Sequence, residues 1–292
     1  MATGSTVPRR QLGRHLRDLR NRARMTVRAA ARNLEWSEAK MWRIETGQTS
    51  LRSLDVEAMC RVYGATPNLT EALMGLARET KARGWWHAYG EVIPEGFDVY
   101  IGLEEAASSL HSYQSDLVPG LLQTGGYAQA VIRAHNPDAS EDEVDQRVRL
   151  RLERQTLLTR VTDPPSLRLV LGESVLRRAV GDQAVMAEQM RRLVAASAAP
   201  NITIRVAPFS AGLHPGVVTG PFVLLRFPTT GDGTETEPPT VYSDGFTGSL
   251  YLDKPAEVQS YESAFEGIWY RSLDEQASRR LIDDMAGRHG QD

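Results

Sequence analysis

The stretch from Met25 to Gly47 constrains this chain most, because its pattern predicts two short helices joined by a tight turn. Thr26 is a favourable N-cap, and the first helix carries apolar side chains on one face at helical spacing: Val27, Ala30, Ala31 and Leu34. Ser37 begins the second helix, and Gly47 ends it. Met41 and Ile44 would then point inward. The residues left facing outward are Glu38, Ala39, Lys40, Trp42 and Arg43.

A helix-turn-helix places the N-terminal residues of its second helix on base edges in the DNA major groove. Two amphipathic helices also occur in many all-helical domains that bind no nucleic acid, so the pattern alone leaves both interpretations open. The flank favours DNA, because a planar guanidinium suits phosphate and guanine edges. Between positions 9 and 32, only Asp18 is acidic, against a series of arginines: Arg9, Arg10, Arg14, Arg17, Arg20, Arg22, Arg24, Arg28 and Arg32.

The run from Leu12 to Gly47, which closes with Arg-Ile-Glu-Thr-Gly, resembles the Cro/repressor-type (xenobiotic-response-element, XRE) helix-turn-helix. The residues that the resemblance places near bases are Thr26, Val27, Ser37, Glu38, Ala39 and Arg43. Lys40 is expected to reach a phosphate or a base edge. We expect Arg14, Arg17 and Arg28 to hold backbone phosphates, which position a protein without reading sequence.

The charge of the chain is divided sharply between its two parts. Through Gly84 there are 16 Lys and Arg against 8 Asp and Glu, whereas the remainder holds 18 basic and 29 acidic residues. This division indicates a polyanion-binding head joined to an acidic body that does not bind DNA. The single cysteine, Cys60, fits a reducing cytoplasm, and no signal peptide or membrane-spanning run is visible, so a cytoplasmic protein is expected.

At 292 residues the chain is long enough for two domains, and the predicted fold class is α+β. Residues 1–8 are predicted to be a flexible tail, 9–84 a five-helix repressor-type head, and 85–292 a larger α+β domain with a small mixed or antiparallel sheet. The predicted strands of that sheet are 167–171, 201–206, 221–227, 240–242 and 249–252. In the head, the first helix is predicted over 9–24, and the fifth is predicted to be capped by Asn68 and Glu71 and to run to about 82. In the second domain, one helix is predicted to start near Leu103 and another to run from Ser140 to about 159.

Aromatic residues cluster just after the predicted domain boundary. Trp85, Trp86, Tyr89 and Tyr100 are interpreted as core at a domain seam or as a ligand cage, and the former is the more common use of such a cluster. No nucleophile–base pair, metal-ligand spacing or phosphate-binding fingerprint is visible, so no enzyme activity, metal or cofactor is expected.

The second domain carries several distinctive strings: VYIGLEEAASSLHSYQSDLVPGLLQTGGYA, PNITIRVAPFSAGLHPG and GPFVLLRFP. They resemble the C-terminal domain of the actinobacterial WhiJ-like regulators, which pair a repressor-type head with this domain. The resemblance implies transcriptional regulation, and it implies a small BldB-like partner protein in an arrangement like a toxin–antitoxin module. It implies no known ligand, so an effector, its identity and the operator stay open.

The favoured hypothesis is therefore a sequence-specific DNA-binding transcriptional regulator that is controlled through its C-terminal domain. One recognition helix reads only a few base pairs, so useful specificity favours a homodimer on two half-sites. The alternative is an antitoxin-like interaction protein whose body sequesters the BldB-like partner, with DNA binding serving autoregulation. Whether the regulator activates or represses is left open by the sequence.

Overall fold

The computed structural model describes residues 6–80, 84–94, 96–229, 231, 233, 235–245 and 248–290. The chain forms two compact units: a first unit of residues 1–88 and 94–106, and a second unit of residues 89–93 and 107–292. The predicted domain boundary at Gly84 stays a prediction, because residues 81–83 beside it lie outside the described residues. In the described part of the chain, no helix is both long and apolar enough to cross a membrane.

The first unit is helical, as the sequence predicts. Its helices are α1 Thr6–Arg22, α2 Val27–Asn33, α3 Glu38–Glu45, α4 Ser53–Tyr63, α5 Pro67–Glu79 and α6 Phe97–Ala106. The inward stripes of α1 to α5 meet in one apolar core, in which Leu16, Met41 and Met59 are almost completely buried. Cys60 belongs to this core, so its thiol is an apolar packing group rather than a reactive one.

Two helix starts in this unit differ from the prediction. The first helix begins at Thr6, so Thr6, Val7 and Pro8 of the predicted tail are helical, and residues 1–5 lie outside the described part. The fifth helix is capped by Thr66 rather than Asn68, since the Thr66 hydroxyl accepts from the amide of Leu69 at 3.4 Å. Pro67 then occupies the first helical turn, where its missing N–H costs nothing.

Helix α6 packs on α1 within the first unit, and it begins at Phe97 rather than near the predicted Leu103. The two helices approach closely at Gly102, where a Cβ atom would lie 2.0 Å from the hydroxyl oxygen of Thr6. Arg9 pairs with Asp98 at 3.6 Å across the same contact. Glycine is therefore required at position 102 for this packing.

The second unit is built on a six-stranded mixed sheet with the strand order β3-β2-β1-β4-β5-β6. The strands are β1 Ser109–Gln114, β2 Ser166–Gly172, β3 Ile202–Ala207, β4 Phe222–Arg226, β5 Thr240–Gly245 and β6 Gly248–Leu252. The first three are parallel, and the last three pair antiparallel. The helices are α7 Gly125–His135, α8 Glu141–Arg154, α9 Glu173–Arg177, α10 Gln183–Ala196, α11 Pro215–Thr219, α12 Pro255–Arg271 and α13 Glu275–His289.

The long charged helix predicted to run to about 159 ends at Arg154. Residues Gln155–Thr159 continue it as a tighter 3₁₀ turn, in which Leu157 and Leu158 are buried. Because a 3₁₀ helix has three rather than 3.6 residues per turn, the two leucines point in directions that differ from those in a continued α-helix.

The central strand β1 is absent from the predicted strands, although it lies between β2 and β4. Its sequence, SLHSYQ, lacks the apolar run of a buried strand, so tertiary packing sets this element. Ser112 is buried, and the ring of His111 stacks on that of Phe265 at a centroid distance of 4.8 Å. Burial and the nearby Arg168 lower the pKa of His111 to about 4, so this histidine is neutral at pH 7.

Both faces of the sheet are covered at its centre. Helix α12 packs Phe265 and Ile268 against Tyr113, Phe222 and Leu224. Because side chains alternate along a strand, the buried Leu167, Leu169 and Leu171 of β2 lie on the opposite face from Val170. Burial on both sides explains the apolar runs of β2 and β4, whereas β6 at the edge of the sheet is largely exposed.

A short loop, Val118–Thr124, follows β1 and is held by side-chain amides. Gln189 is fully buried, and its Nε2 donates to the carbonyl of Leu122 at 2.8 Å while its Oε1 accepts from the amide of Thr124 at 2.8 Å. Gln155 donates to the carbonyls of Gly120 at 3.0 Å and of Gln123 at 2.7 Å. The polar backbone of this buried loop is thereby satisfied without a ladder of strand hydrogen bonds.

Replacing Gln189 with leucine should therefore destabilise the second unit although the new side chain is apolar and similar in volume. The amide of Thr124 and the carbonyl of Leu122 would lose their partners, at a cost of about 2–4 kcal/mol. Urea unfolding of the full chain measures this cost. Glu188→Leu is the matched control, since position 188 is exposed on the same helix and should shift the midpoint little; equal midpoints for the two variants would contradict the amide clamp.

Candidate nucleic-acid interface

Helices α2 and α3 form the predicted helix-turn-helix, and each begins at the predicted cap. The Thr26 hydroxyl accepts from the amide of Ala29 at 3.1 Å, and the Ser37 hydroxyl accepts from the amide of Lys40 at 3.1 Å. Each cap satisfies one of the free amides of a helix start. The local sequence thus fixes where both helices begin.

The turn between the helices depends on Glu35, which has a φ of 55°. This left-handed conformation costs a non-glycine residue roughly 1–2 kcal/mol, and glycine is common at this position of such turns. The amide of Trp36 donates to the carbonyl of Ala31 at 2.8 Å, which closes the turn. The surrounding packing therefore maintains a bend that the local sequence disfavours.

A buried ion pair holds α3 against α1. Arg20 on α1 contacts both carboxylate oxygens of Glu45 on α3, with Nε–Oε1 and Nη2–Oε2 distances of 2.6 and 2.8 Å. Its third nitrogen donates to the carbonyl of Met25 at 2.8 Å. This hydrogen bonding raises the pKa of Arg20, and the planar fork restricts the angle between the two helices.

Two glycines allow α1 to reach the end of α3. A Cβ on Gly13 would lie 2.5 Å from the carbonyl oxygen of Ile44, and one on Gly47 would lie 2.8 Å from the Cα of Arg10. Gly47 also has a φ of 74°, which favours glycine as the residue that ends the helix. The C-terminal end of α3 is consequently fixed against α1.

The outer surface of α3 presents the side chains that the sequence predicts. Met41, Ile44 and Glu45 are buried, because they lie on one side of a helix with 3.6 residues per turn. The residues exposed on the other side are Glu38, Ala39, Trp42 and Arg43. This surface offers a carboxylate acceptor, a guanidinium fork, an indole ring and a small residue that allows close approach.

Lys40 and Glu38 lie at the edges of that surface and have partners. The Lys40 ammonium lies 3.5 Å from the centre of the Trp36 ring, a cation–π contact that positions both side chains beside the turn. Glu38 is 3.9 Å from Arg28, and both side chains are mainly exposed. An exposed pair at this distance contributes little stability, so Arg28 and Glu38 remain available for other contacts.

The other predicted residues occupy more varied positions. Thr26 is exposed at the start of α2, whereas Val27 beside it packs partly on the apolar core. Arg14 and Arg17 are partly buried on α1. The contacts of all ten residues with DNA stay a prediction.

The arginine-rich flank is less available to a polyanion than its sequence suggests. Arg9, Arg10 and Arg20 are buried, Arg9 beside Asp98 and Arg20 in its pair with Glu45. These three arginines serve the packing of α1. Sequence spacing could not identify Arg9 and Arg20, because their carboxylate partners are distant in the chain.

Trp42 is a further candidate contact residue that is absent from the predicted interface. Its side chain is 56% exposed in the middle of the outer surface of α3. A large apolar ring so placed on a helix suits contact with a thymine methyl group or a sugar. Its outward position on the predicted second helix is the sequence feature by which it could have been identified.

The four residues of the predicted aromatic cluster are divided between the two units. Trp86 is buried, with Trp85 edge-on to it at 6.0 Å, and Tyr100 is buried and stacks on Phe97 at 5.5 Å. Tyr89 belongs to the second unit, where its hydroxyl donates to Glu153 at 2.6 Å. Within the described residues, no three His, Cys, Asp or Glu side chains converge as metal ligands would.

Comparison with known families identifies both parts of the chain. Residues 97–284 match the family described as a domain of unknown function (DUF5753), over more than half of the chain. Residues 11–73 match a helix-turn-helix domain, the type of domain found in DNA-binding regulators. No curated protein and no solved structure matches the chain.

Glu45→Ala should destabilise the head and weaken the orientation of α3. The substitution leaves the buried Arg20 guanidinium without its carboxylate, which costs about 3 kcal/mol. The urea midpoint of helix loss in the full chain measures the effect. Glu57→Ala is the control, because Glu57 makes only an exposed pair with Arg61 at 3.7 Å; a midpoint shift as small as that of the control would contradict the role of the buried pair.

Proposed function

The chain belongs to the DUF5753 family, and we propose that it is a sequence-specific DNA-binding transcriptional regulator that reads the major groove with α3. The observation that carries the proposal is the outer surface of α3, where Arg43, Ala39 and Glu38 are exposed on one side of a helix that the Arg20–Glu45 pair anchors. The match of residues 11–73 to a helix-turn-helix domain supports it.

Each outward side chain has a chemically defined role in the proposed complex. Arg43 donates two hydrogen bonds to O6 and N7 of guanine, and Glu38 accepts from N4 of cytosine. Ala39 lets the helix approach the base edges, and Ser37 with Thr26 lies at helix starts whose positive dipole ends favour phosphate. Arg28, Arg14 and Arg17 contact the backbone and set the register.

The proposal includes a cytoplasmic homodimer of the XRE type. One α3 covers too few base pairs to single out an operator, whereas two copies read half-sites about one helical turn apart. The resemblance to WhiJ-like regulators supports control of DNA binding through the DUF5753 domain, in response to a partner protein or a small-molecule effector. The same resemblance supports an actinobacterial origin.

Arg43→Ala should weaken binding to the preferred duplex by about 1–3 kcal/mol and relax the preference at one position of the site. Fluorescence anisotropy with the preferred duplex and with single-base variants measures both effects. Arg61→Ala provides a matched control, because Arg61 is an exposed arginine on α4. Unchanged affinity and unchanged base preference in Arg43→Ala would remove Arg43 from the readout.

A second candidate function is an antitoxin-like interaction protein that binds a small BldB-like partner, with DNA binding serving autoregulation. The observation that favours it is an apolar surface segment in the second unit. Four of its large side chains are 61–83% exposed: Phe209, Leu213, Val217 and Val218. Such concentrated apolar exposure within ten residues is typical of a protein-binding surface.

Co-expression with the product of a neighbouring small gene tests this second function. The expected result is a complex that survives gel filtration and is lost when Val218 is replaced by Asp, while Val161→Asp, at another exposed valine of the second unit, leaves it intact. A chain that elutes without the small protein under these conditions would contradict the antitoxin-like function and leave the regulator proposal standing.

A further inference from the structure

Three arginines lie along one face of α8 in the second unit, below the Val118–Thr124 loop. Arg147, Arg151 and Arg154 are spaced four and three residues apart, which places them on the same side of a helix. Arg154 is buried, and Arg147 and Arg151 are partly buried. A helix face turned towards a protein core normally carries apolar residues, so arginines in these positions depend on the partners around them.

The loop backbone lies directly over this arginine face. A Cβ on Gly120 would be 3.7 Å from both terminal nitrogens of Arg154 and 3.8 Å from Cδ of Arg151. The side chains of Gln155 and Gln189 hold the loop in this position through its carbonyls and amides. The arrangement is therefore rigid before any ligand arrives.

Arg151 has a neutral partner only. Its Nη1 donates to Oε1 of Gln123 at 2.8 Å, and the Nε2 of Gln123 donates to the carbonyl of Val118 at 2.7 Å. These two contacts set the orientation of the side-chain amide of Gln123. Among the described residues no carboxylate lies within ion-pair distance of Arg151.

The surroundings of Arg151 disfavour its charge. Burial, together with the like charges of Arg154 and Arg147, lowers the pKa of Arg151 to about 10. The guanidinium is still protonated at neutral pH, so a cation persists in a partly desolvated place. Arg147 adds to the imbalance, since its Nε is buried without a hydrogen-bond partner while its Nη2 pairs with Glu143.

An anion would provide acceptors both for the unused donors of Arg151 and for the buried Nε of Arg147. A guanidinium offers five N–H donors in a planar fork, and only one donor of Arg151 is occupied. A phosphate or carboxylate matches that fork with two parallel charge-assisted hydrogen bonds. It would also relieve the repulsion among the three arginines.

We propose that Arg151, assisted by Arg147, binds the oxyanion group of a small metabolite, a phosphate or a carboxylate, beside the Val118–Thr124 loop. The site belongs to the second unit alone. It stands independently of the DNA-binding proposal, because none of its residues lies in the helix-turn-helix.

Thermal unfolding of the full chain in increasing inorganic phosphate or succinate, with sodium chloride keeping ionic strength constant, tests this site. The melting temperature of the wild type should rise saturably with at least one of the two anions, and the responding anion identifies the class of ligand. Arg151→Gln should abolish the rise. Arg149→Gln is the matched control, because Arg149 is exposed on the same helix and should leave the rise unchanged.

Arg151→Lys keeps the charge but loses the fork, so its apparent affinity for the anion should fall about tenfold, equivalent to the loss of one charge-assisted hydrogen bond. If Arg151→Gln does not unfold cooperatively, the wild type is compared with Arg151→Lys instead. Absence of a saturable rise with both anions would overturn the proposal. A rise that persists in Arg151→Gln, or equal affinities in the wild type and Arg151→Lys, would overturn it as well.

Discussion

The bidentate contact between Arg20 and Glu45 is the interaction on which the candidate interface depends. A short helix of eight residues has little stability of its own in water, so its orientation must come from tertiary contacts. The ion pair provides that contact at the C-terminal end of α3, and Gly13 and Gly47 let α1 approach closely enough for it to form. The opposite side of α3 then stays exposed along its length, which is the geometry that reading a groove requires.

Local chemistry explains which parts of this fold could be predicted from the sequence. Hydroxyl caps at Thr26 and Ser37 act within three residues, so their positions can be read directly from the chain. The caps and the helical apolar spacing together predicted the helix-turn-helix and the outward position of Arg43. Likewise, strand-like runs predicted five of the six strands. The runs of β2 and β4 are apolar because these two strands are buried over most of their length.

Features that depend on distant residues could not be predicted in this way. Arg20 looks like its exposed neighbours in sequence, and only its contact with Glu45, twenty-five positions away, makes it structural. Strand β1 forms although its sequence is polar, because the surrounding packing accommodates His111 and Ser112. The same applies to Arg151, which was part of a charged helix in sequence and becomes an incompletely paired cation only when the Val118–Thr124 loop is placed over it.

Selection of duplexes from a random DNA pool by the purified full chain, followed by sequencing, tests the central claim most directly. The account predicts enrichment of an inverted repeat whose half-site centres are about ten base pairs apart, with retention that falls steeply as salt is raised. A pool that stays random, with no duplex retained even at low ionic strength, would contradict the claim that the anchored α3 reads DNA.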